Sequence, residues 1–184
     1  TYTMKITDAP GDSDSYSLVY LEGGNLIYLV SKSSLPWTTM TLDVGTSSTI
    51  IPYYVYNIKN MDIKVNGKDE MSFEGTGSDK DDFKVTLNGE DCETERYRTF
   101  YVFILKTPAE EIYMGDVSGE PIAEMTIESQ AGDKTELEFY EAEGRKLIIK
   151  VNGKVSFKCR ASFLDTLKAN MDKFNTSEEF SYEW

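Results

Sequence analysis

The chain has 184 residues, of which 40 % are hydrophobic and 12 % aromatic, a composition typical of a folded globular protein and not of a disordered one. Its 32 acidic side chains outnumber 19 basic ones, and the net charge of −13 argues against nucleic acid or an anionic bilayer as a partner. It has no histidine, which excludes Ser-His-Asp and Cys-His nucleophilic sites and most zinc sites.

The first 57 residues predict a small antiparallel sheet followed by a short helix. Alternating apolar and polar positions predict strands at Thr3–Thr7, Tyr16–Leu21 and Leu26–Val30, with a glycine pair in the turn between the last two. A Ser-Leu-Pro sequence begins at Ser34, and proline is tolerated in the first helical turn. We therefore expect a short helix that ends at about Leu42.

Residues 58–121 predict a second sheet, entered by a strand that we expect over Ile50–Val65. Apolar residues that face inward then alternate with polar ones along two further strands, at Met71, Phe73, Phe83, Val85 and Leu87. Asn-Gly pairs at 66–67 and 88–89 predict tight hairpins, because both residues tolerate a positive φ.

A helix is expected after the second of these hairpins. The segment Tyr101–Leu105 alone could equally form a buried strand, but Thr94 can cap a helix and Pro108 can end one. Helical spacing relates the four aromatic and aliphatic residues Tyr97, Phe100, Tyr101 and Ile104.

The last third of the chain has the most regular alternation. Its inward positions are Leu137, Phe139, Leu147, Ile149, Val151, Val155, Phe157 and Cys159. Tyr140 and Ile148 fall on the opposite face, which we expect to be solvated. At Ser162, the expected N-cap, the period changes to that of a helix. The apolar stripe of this helix is Phe163, Leu164, Leu167, Met171 and Phe174.

A repeat of 64 residues relates the second and third parts of the chain. Three apolar residues recur at this spacing, Ile58 as Ile122, Met61 as Met125 and Ile63 as Ile127. The Asn-Gly pairs at 88–89 and 152–153 keep the spacing, and the helix residues Phe100 and Phe103 fall on Leu164 and Leu167. A spacing of 65 relates Gly24 to Gly89, so the first unit is expected to be a truncated copy.

These patterns predict an α+β fold, a tandem repeat in which each unit is an antiparallel β-meander packed on one helix in two layers. The expected units are 1–57, truncated at its front, 58–121, and 122–184 with its C-terminal tail. We expect the units to be fused into one compact domain.

The two cysteines are expected to be unreactive. Cys159 lies on an inward face, and the acidic neighbours of Cys92 should raise its pKa. An oxidising compartment would permit a Cys92–Cys159 disulfide, which the non-equivalent positions of the two residues in their units disfavour.

The carboxylates suggest no catalytic or metal site. Glu136 and Glu138 lie on the solvent side of a strand, so alternation implies no cleft between them. The cluster of Asp79, Asp81 and Asp82 lacks the glycine and the glutamate of a calcium loop. No phosphate loop or dinucleotide fingerprint is present, so no cofactor is expected.

The run of Tyr53, Tyr54, Val55 and Tyr56 is the strongest candidate for a binding surface. Alternation along a strand would expose some of the rings, and exposed aromatic rings favour recognition surfaces. The alternative is that the rings only cover a strand that crosses between units. We expect the working surface to comprise the helix-free faces of the sheets and the loops that join the units.

The segment from Tyr16 to Leu35 and the two Ile-x-x-Met-x-Ile strands with their helices resemble a bacterial family of unknown function. Its members are tandem-repeat domains of membrane-anchored or lipoprotein-type cell-envelope proteins, some found beside auxiliary components of gliding-motility-type ABC transporters. The resemblance covers about 16–174, but a tryptophan common in the third strand of family repeats is absent here. The family has no agreed catalytic residues.

This resemblance implies a non-catalytic, extracytoplasmic binding or assembly domain whose partner is another envelope protein. Attachment to the membrane would be through an anchor outside this chain, which begins at Thr1 without a methionine. The alternative is an enzyme-inhibitor-like or small-ligand-carrier module built from repeated sheet-plus-helix units. An enzyme that uses carboxylates alone is a more distant hypothesis.

Overall fold

A computed structural model describes residues 3–38 and 49–184. They belong to two compact units, Thr1–Thr46 and Ser47–Trp184, of which the second is much the larger. The fold class is α+β, and in the described residues all of the strand pairings are antiparallel.

The first unit contains a three-stranded antiparallel sheet in the order β1-β2-β3. Its strands are β1 (Met4–Asp8), β2 (Tyr16–Leu21) and β3 (Ile27–Ser31). Val19 and Leu35 are among the few side chains that are buried in the described part of this unit. In place of the start of the predicted helix there are 3-10 turns at Lys32–Ser34 and Pro36–Thr38, and the rest of that helix lies outside the described residues.

The second unit contains a nine-stranded antiparallel sheet in the order β7-β6-β5-β4-β9-β10-β11-β12-β8. Its strands are β4 (Ile58–Val65), β5 (Lys68–Thr76), β6 (Lys84–Leu87), β7 (Glu90–Cys92), β8 (Glu111–Ile112), β9 (Ala123–Ser129), β10 (Lys134–Ala142), β11 (Lys146–Val151) and β12 (Lys154–Arg160). The sequence did not predict the short edge strand β8.

Two helices, α1 (Thr94–Leu105) and α2 (Ser162–Lys173), pack on one face of this sheet. The ring of Phe73 lies between Tyr97 and Phe100 of α1, with centroid distances of 5.1 and 5.9 Å. Phe163 of α2 contacts Phe139 of β10 in the same way at 5.8 Å. Aromatic rings of both helices and the sheet form one core, which confirms the predicted inward faces except at Val155. A register shift between β11 and β12 pairs Val155 with Lys150, and Val155 is not part of this core.

The helix over α1 is confirmed, but the predicted caps of both helices are wrong. The N-cap of α1 is Glu93, and the Thr94 hydroxyl instead donates to the carbonyl oxygen of Phe83 at 3.4 Å. The N-cap of α2 is Ala161, one residue before the predicted Ser162. Neither cap makes a side-chain hydrogen bond, so packing on the sheet, not capping, positions these helix starts.

The predicted strand over Ile50–Val65 is too long at its start, because β4 begins only at Ile58. Residues 51–54 are irregular, and Val55–Asn57 form a 3-10 turn. Pro52 lacks the N–H group that a strand ladder requires, which explains why pairing does not extend to Ile50. The tyrosine run therefore lies before the sheet and not in a strand.

The Asn-Gly hairpins form as predicted, with a hydrogen-bonded clamp in two of them. Asn88 has a φ of 52° and Asn152 a φ of 50°. The Asn88 side chain accepts from the N–H of Ser72 at 2.9 Å, and its own N–H donates to the Ser72 carbonyl at 2.7 Å. Asn152 makes the same two bonds with Glu136, both at 2.8 Å. Each asparagine thus joins its turn to the strand that precedes the hairpin, β5 for Asn88 and β10 for Asn152.

Strand registers in the two halves of the large sheet correspond at the predicted spacing. Met61 pairs with Phe73 as Met125 pairs with Leu137, 64 positions later. Strands β4 and β9 are neighbours, and Asp62 pairs directly with Thr126, its own counterpart at that spacing. The helices do not keep the spacing: α1 begins at residue 94 and α2 at 162, because β12 extends to Arg160 whereas β7 ends at Cys92.

The outer, helix-free face of the sheet is less uniformly solvated than predicted, because Tyr140 and Ile148 are buried there. They are direct cross-strand partners in β10 and β11. The Lys150 ammonium lies 4.7 Å from the centroid of the Tyr140 ring and donates to its hydroxyl at 2.9 Å. Cross-strand packing and this lysine cover positions that alternation alone assigns to water.

The tail that follows α2 packs across both helices, which the sequence did not predict. Arg96 of α1 donates to the carbonyl oxygens of Lys173, Phe174 and Glu178, and its guanidinium lies 3.7 Å from the Phe180 ring centroid. The Trp184 ring meets Phe103 at 5.9 Å and Phe163 at 5.4 Å, on α1 and α2 respectively. The tail is therefore part of the core.

Candidate functional site

The strongest candidate site is a groove of about 310 Å³ between α1 and the segment before β4, here called the tyrosine groove. Its lining residues are Tyr53, Tyr54, Val55, Glu95, Arg98, Thr99, Tyr101, Val102 and Leu105. Two of the three predicted binding tyrosines line it. The groove lies beside α1, on the helix-bearing side of the sheet and not on its helix-free face. The irregular segment that carries Tyr53 and Tyr54 belongs to the loops between units, which we also expected to contribute to the working surface.

The three predicted tyrosines have different roles. Tyr56 is only 3 % exposed, and its ring packs edge-on against Phe83 at 5.4 Å, so it belongs to the core. Tyr53 is half-buried and accepts a hydrogen bond from the Thr135 hydroxyl at 3.0 Å. Tyr54 is 64 % exposed, and its ring meets Tyr56 edge-on at 5.2 Å. Of the three, Tyr54 alone is free to contact a partner over most of its surface.

Helix α1 contributes the apolar wall of the groove. Val102 and Leu105 are 45 % and 40 % exposed, although they lie on a helix whose opposite face is fully buried. Because they are three residues apart, they sit on one side of the helix. Together with Tyr54 they form a contiguous apolar surface, the kind of patch that marks binding sites on soluble proteins.

The backbone of the tyrosine segment is held firmly against α1. The Tyr101 hydroxyl donates to the Tyr53 carbonyl oxygen at 2.9 Å. Burial, reinforced by the neighbouring Tyr53, raises the pKa of Tyr101 well above its ordinary value, so this hydroxyl remains a donor at any physiological pH. On the other side, the Gln130 side chain donates to the Tyr56 carbonyl oxygen at 3.2 Å. The groove is therefore preformed.

The polar rim of the groove is an ion pair. Arg98 and Glu95 are three residues apart on α1, with a nitrogen–oxygen distance of 2.5 Å. The Arg98 guanidinium also lies 5.6 Å from the Tyr56 ring centroid, within reach of a cation–π interaction. An apolar floor with a charged rim is the usual anatomy of a protein-binding surface.

Sequence reasoning missed Arg98, Val102 and Leu105 as site residues. Val102 and Leu105 belong to a continuous apolar run that alone could form a buried strand. In the helix that forms instead, the two side chains are 45 % and 40 % exposed. The helical wheel of Thr94–Leu105 contained this signal, because the predicted core stripe leaves Arg98 and Val102 on the opposite side.

The acidic residues considered for catalysis are paired with lysines. Glu136 forms an ion pair with Lys134 at 2.5 Å, and Glu138 lies 3.3 Å from the ammonium of Lys150 and accepts from the Tyr140 hydroxyl at 2.7 Å. In the described residues no cluster of three or more His, Cys, Asp or Glu side chains has the arrangement of a metal site.

The aspartates of the loop before β6 accept hydrogen bonds from backbone N–H groups of the same loop. Asp82 accepts from the N–H groups of Ser78 and Asp79, and Asp79 accepts from those of Asp81 and Asp82. These backbone donors lower the pKa of Asp82. The carboxylates thus hold the loop closed, and the geometry is that of nested turns.

Both cysteines are free thiols. Burial raises the pKa of Cys159 to about 12. Burial raises the pKa of Cys92 as well, with a smaller contribution from Asp91, the acidic neighbour on which the prediction rested. A protonated thiol is a poor nucleophile, so the two side chains have the character of small hydrophobic residues.

A second cleft of similar volume, about 310 Å³, lies at the end of the sheet beside the start of α2. Its apolar floor includes Val65, Ile122 and Leu147. Arg145 and Lys168 are among its charged lining residues.

Within the described residues, no helix is long and apolar enough to cross a membrane.

No family model matches the chain, and comparison with curated proteins and with solved structures found no match.

Proposed function

We propose that this chain is a non-catalytic binding or assembly domain and that the tyrosine groove is its contact surface. The observation that carries the proposal is the exposure of three large apolar side chains, Tyr54, Val102 and Leu105, around one groove. Exposed apolar area costs solubility unless a partner covers it, so a groove of this kind is typical of a recognition site.

The support beneath the groove favours binding over a purely structural role for these rings. The backbone on either side of Tyr54 is held in place by hydrogen bonds from the Tyr101 hydroxyl and the Gln130 side-chain amide. A rigid aromatic side chain contributes contact area with little loss of conformational entropy. Tyr54 is therefore the anchor of the proposed contact, and the Arg98–Glu95 pair is its polar rim.

The proposed partner is another protein of the bacterial cell envelope. This compartment rests on the resemblance in the segment from Tyr16 to Leu35 and in the repeated strands, with membrane attachment through an anchor outside this chain. The net charge of −13 favours a protein partner over nucleic acid or an anionic membrane surface.

We also infer that residues 58–121 and 122–184 are tandem copies of one unit, with residues 1–57 a truncated copy. Support comes from the equal registers of the two hairpins and from the matching asparagine clamps at Asn88 and Asn152. Packing has diverged in a compensating way: Gly75 and Phe83 of one half correspond to Phe139 and Leu147 of the other. A Cβ atom on Gly75 would lie 2.4 Å from the carbonyl oxygen of Ile58 and 2.9 Å from the Phe83 ring, so no larger side chain fits beside Phe83 in this half.

The proposed function is tested by comparing capture of envelope proteins by the wild-type chain and by a Tyr54→Ser/Val102→Ser variant. Each protein is immobilised and incubated with a detergent-solubilised envelope fraction, and the captured proteins are quantified by mass spectrometry. The double variant should retain its unfolding temperature, because both side chains are largely exposed, and should bind the specific partner about tenfold or more weakly.

Two control variants make this experiment specific. Met114→Ser removes an equally exposed apolar side chain outside the groove and should leave capture unchanged. Thr126→Arg places a large cation on the outer face of the sheet, at the centre of the β4–β9 pair. If Thr126→Arg abolishes capture and the groove variant retains it, the binding surface is the outer face and the proposal is wrong. Absence of any specific partner also contradicts it.

A small-ligand carrier is the alternative, which the cleft beside α2 favours because its apolar floor is bordered by charged side chains of both signs. Ala142 lines this cleft, so Ala142→Phe should fill it. Native mass spectrometry after incubation with an envelope extract would then show a small molecule retained by the wild type and lost in the variant. An enzyme-inhibitor-like role would instead appear as capture of an envelope enzyme through the tyrosine groove.

A further inference from the structure

Strand β3 is an edge strand that exposes apolar side chains along its whole first half. Within residues 3–38 and 49–184 it pairs with β2 on one side and ends the sheet of the first unit on the other. The exposed fractions of Leu26, Ile27, Tyr28 and Leu29 lie between 47 and 66 %. Successive residues of a strand point to opposite faces, so apolar surface is exposed on both faces of this edge.

The backbone of β3 also presents hydrogen-bonding groups at the open edge. The N–H of Lys32 donates to the carbonyl of Ser15, just beyond the last residue pair of the β2–β3 ladder. This bond fixes which residues of β3 direct their backbone groups toward β2. By the alternation of an antiparallel ladder, Tyr28 and Val30 bond to β2, whereas Ile27, Leu29 and Ser31 direct their N–H and C=O groups outward.

The other sheet edges in the described residues carry the protections that natural proteins use against edge pairing. Strand β7 is three residues long and contains Glu90 and Asp91, and β8 is two residues long and begins with Glu111. Strand β1, the opposite edge of the same sheet, carries Lys5 and Asp8. Charges and short length are the usual means of blocking an edge. Strand β3 has five residues and none of these charges.

We propose that β3 pairs antiparallel with β3 of a second copy of this chain, joining two three-stranded sheets into one of six strands. With Leu29 at the two-fold axis, Ile27 of one chain lies opposite Ser31 of the other, and the outward backbone groups of these residues satisfy each other. The occupant is a second copy because an uncharged strand can meet itself without like-charge contact. The other edge strands of the described residues, β1, β7 and β8, would bring charges into the pairing.

An edge of five residues forms a small interface. Interfaces below about 1,200 Å² are usually weak or transient, so the dimer should be populated only at high protein concentration. This sets the range of the experiment, from about 1 to 500 µM.

Sedimentation equilibrium across this concentration range tests the proposal. The apparent mass of the wild type should rise toward twice the 20.9 kDa of one chain. Leu29→Lys places a charge at the two-fold axis and should raise the dissociation constant about tenfold or more. Met4→Lys, at a similarly exposed position of the opposite edge strand β1, is the matched control and should dimerise like the wild type.

Hydrogen exchange provides a second measurement that does not depend on a variant. The amides of Ile27, Leu29 and Ser31 should exchange more slowly as the wild-type concentration rises, while those of Tyr28 and Val30, already bonded to β2, should change little. A wild type that stays monomeric up to about 500 µM overturns the proposal. So does a dimer that Met4→Lys dissociates and Leu29→Lys does not.

Discussion

Asparagine at the hairpin turns combines a conformational and a bonding role that a single substitution would not separate. At Asn152 the backbone has a φ of 50°, which favours glycine and asparagine, and the side chain also accepts from the N–H of Glu136. An identical arrangement joins Asn88 to Ser72. The two contributions are expected to be of similar size, roughly 1 kcal/mol each.

We predict that Asn152→Ala lowers the free energy of unfolding by about 2 kcal/mol, because alanine loses the hydrogen bond and is strained at positive φ. Asn152→Gly loses only the bond and should cost about 1 kcal/mol or less. Urea unfolding of both variants measures the difference. Equal losses would show that backbone strain contributes nothing at this turn.

Thiol accessibility distinguishes the two cysteines. Cys159 is buried on the inward face of β12 with a pKa raised to about 12, whereas Cys92 is half-buried at the edge of the sheet. We predict that a thiol reagent at pH 8 labels Cys92 in the native protein and reaches Cys159 only on unfolding. Peptide mass spectrometry identifies the labelled site. Rapid labelling of native Cys159 would contradict the assigned inward face.

The same burial makes Cys159 a source of alkaline instability. Its folded pKa lies above the unfolded one, so its protonated form is favoured in the native state. The stabilising contribution is complete below the unfolded pKa of about 8.5 and is lost as the pH rises toward 12. Burial raises the pKa of Tyr97 and Tyr101 in the same direction, so all three groups favour unfolding at high pH.

At the scale of elements, α2 depends on a narrow apolar stripe. Leu167 is fully buried in the core, whereas its neighbour Lys168 is exposed. We predict that Leu167→Ala lowers the free energy of unfolding by about 2–5 kcal/mol, the cost of lost burial plus the cavity that remains. Lys168→Ala, one position along the same helix, should change it by less than about 0.5 kcal/mol. Chemical denaturation with circular dichroism compares the two.

The tail after α2 is the element that sequence patterns predicted least. Phe180, Tyr182 and Trp184 alternate with polar residues, which by itself indicates an extended segment but no docking site. Its position depends on groups distant in the sequence: Arg96 on one helix, and Asn170 on the other, whose side chain bonds the backbone of Ser181 in both directions at 2.8 Å. Asn170, which the predicted apolar stripe of α2 did not include, is fully buried, and these two bonds satisfy its side chain.

At the scale of the whole molecule, the two compact units have cores of very different size. In the described part of the first unit few side chains are buried, whereas the second unit has a continuous core of sheet, helix and tail residues. We predict that amide protection at Val19 of β2 is at least about 100-fold lower than at Met61 of β4. Native-state hydrogen exchange measures both, and equal protection would mean that the units unfold as one.

Local sequence determined much of this architecture. Period-two alternation identified the inward faces, because a strand in a half-buried sheet must direct every second side chain to the core. Asn-Gly pairs located the hairpins, since few other residues adopt the required φ. The 64-residue spacing located matching strands. It also led to the prediction of a helix over Tyr101–Leu105, a segment that alone would fit a strand equally well, although the two helices do not keep this spacing.

Tertiary structure decided which side chains are available for function. The tyrosine run was evident from sequence, but Tyr54 is exposed and Tyr56 buried because Pro52 keeps the segment out of the sheet and α1 packs against one side of it. Tyr140 and Ile148 are buried through pairing across two strands, and the tail is buried through two helices distant in sequence. Periodicity reports only on neighbours along the chain, whereas burial depends on everything that packs against a residue in space.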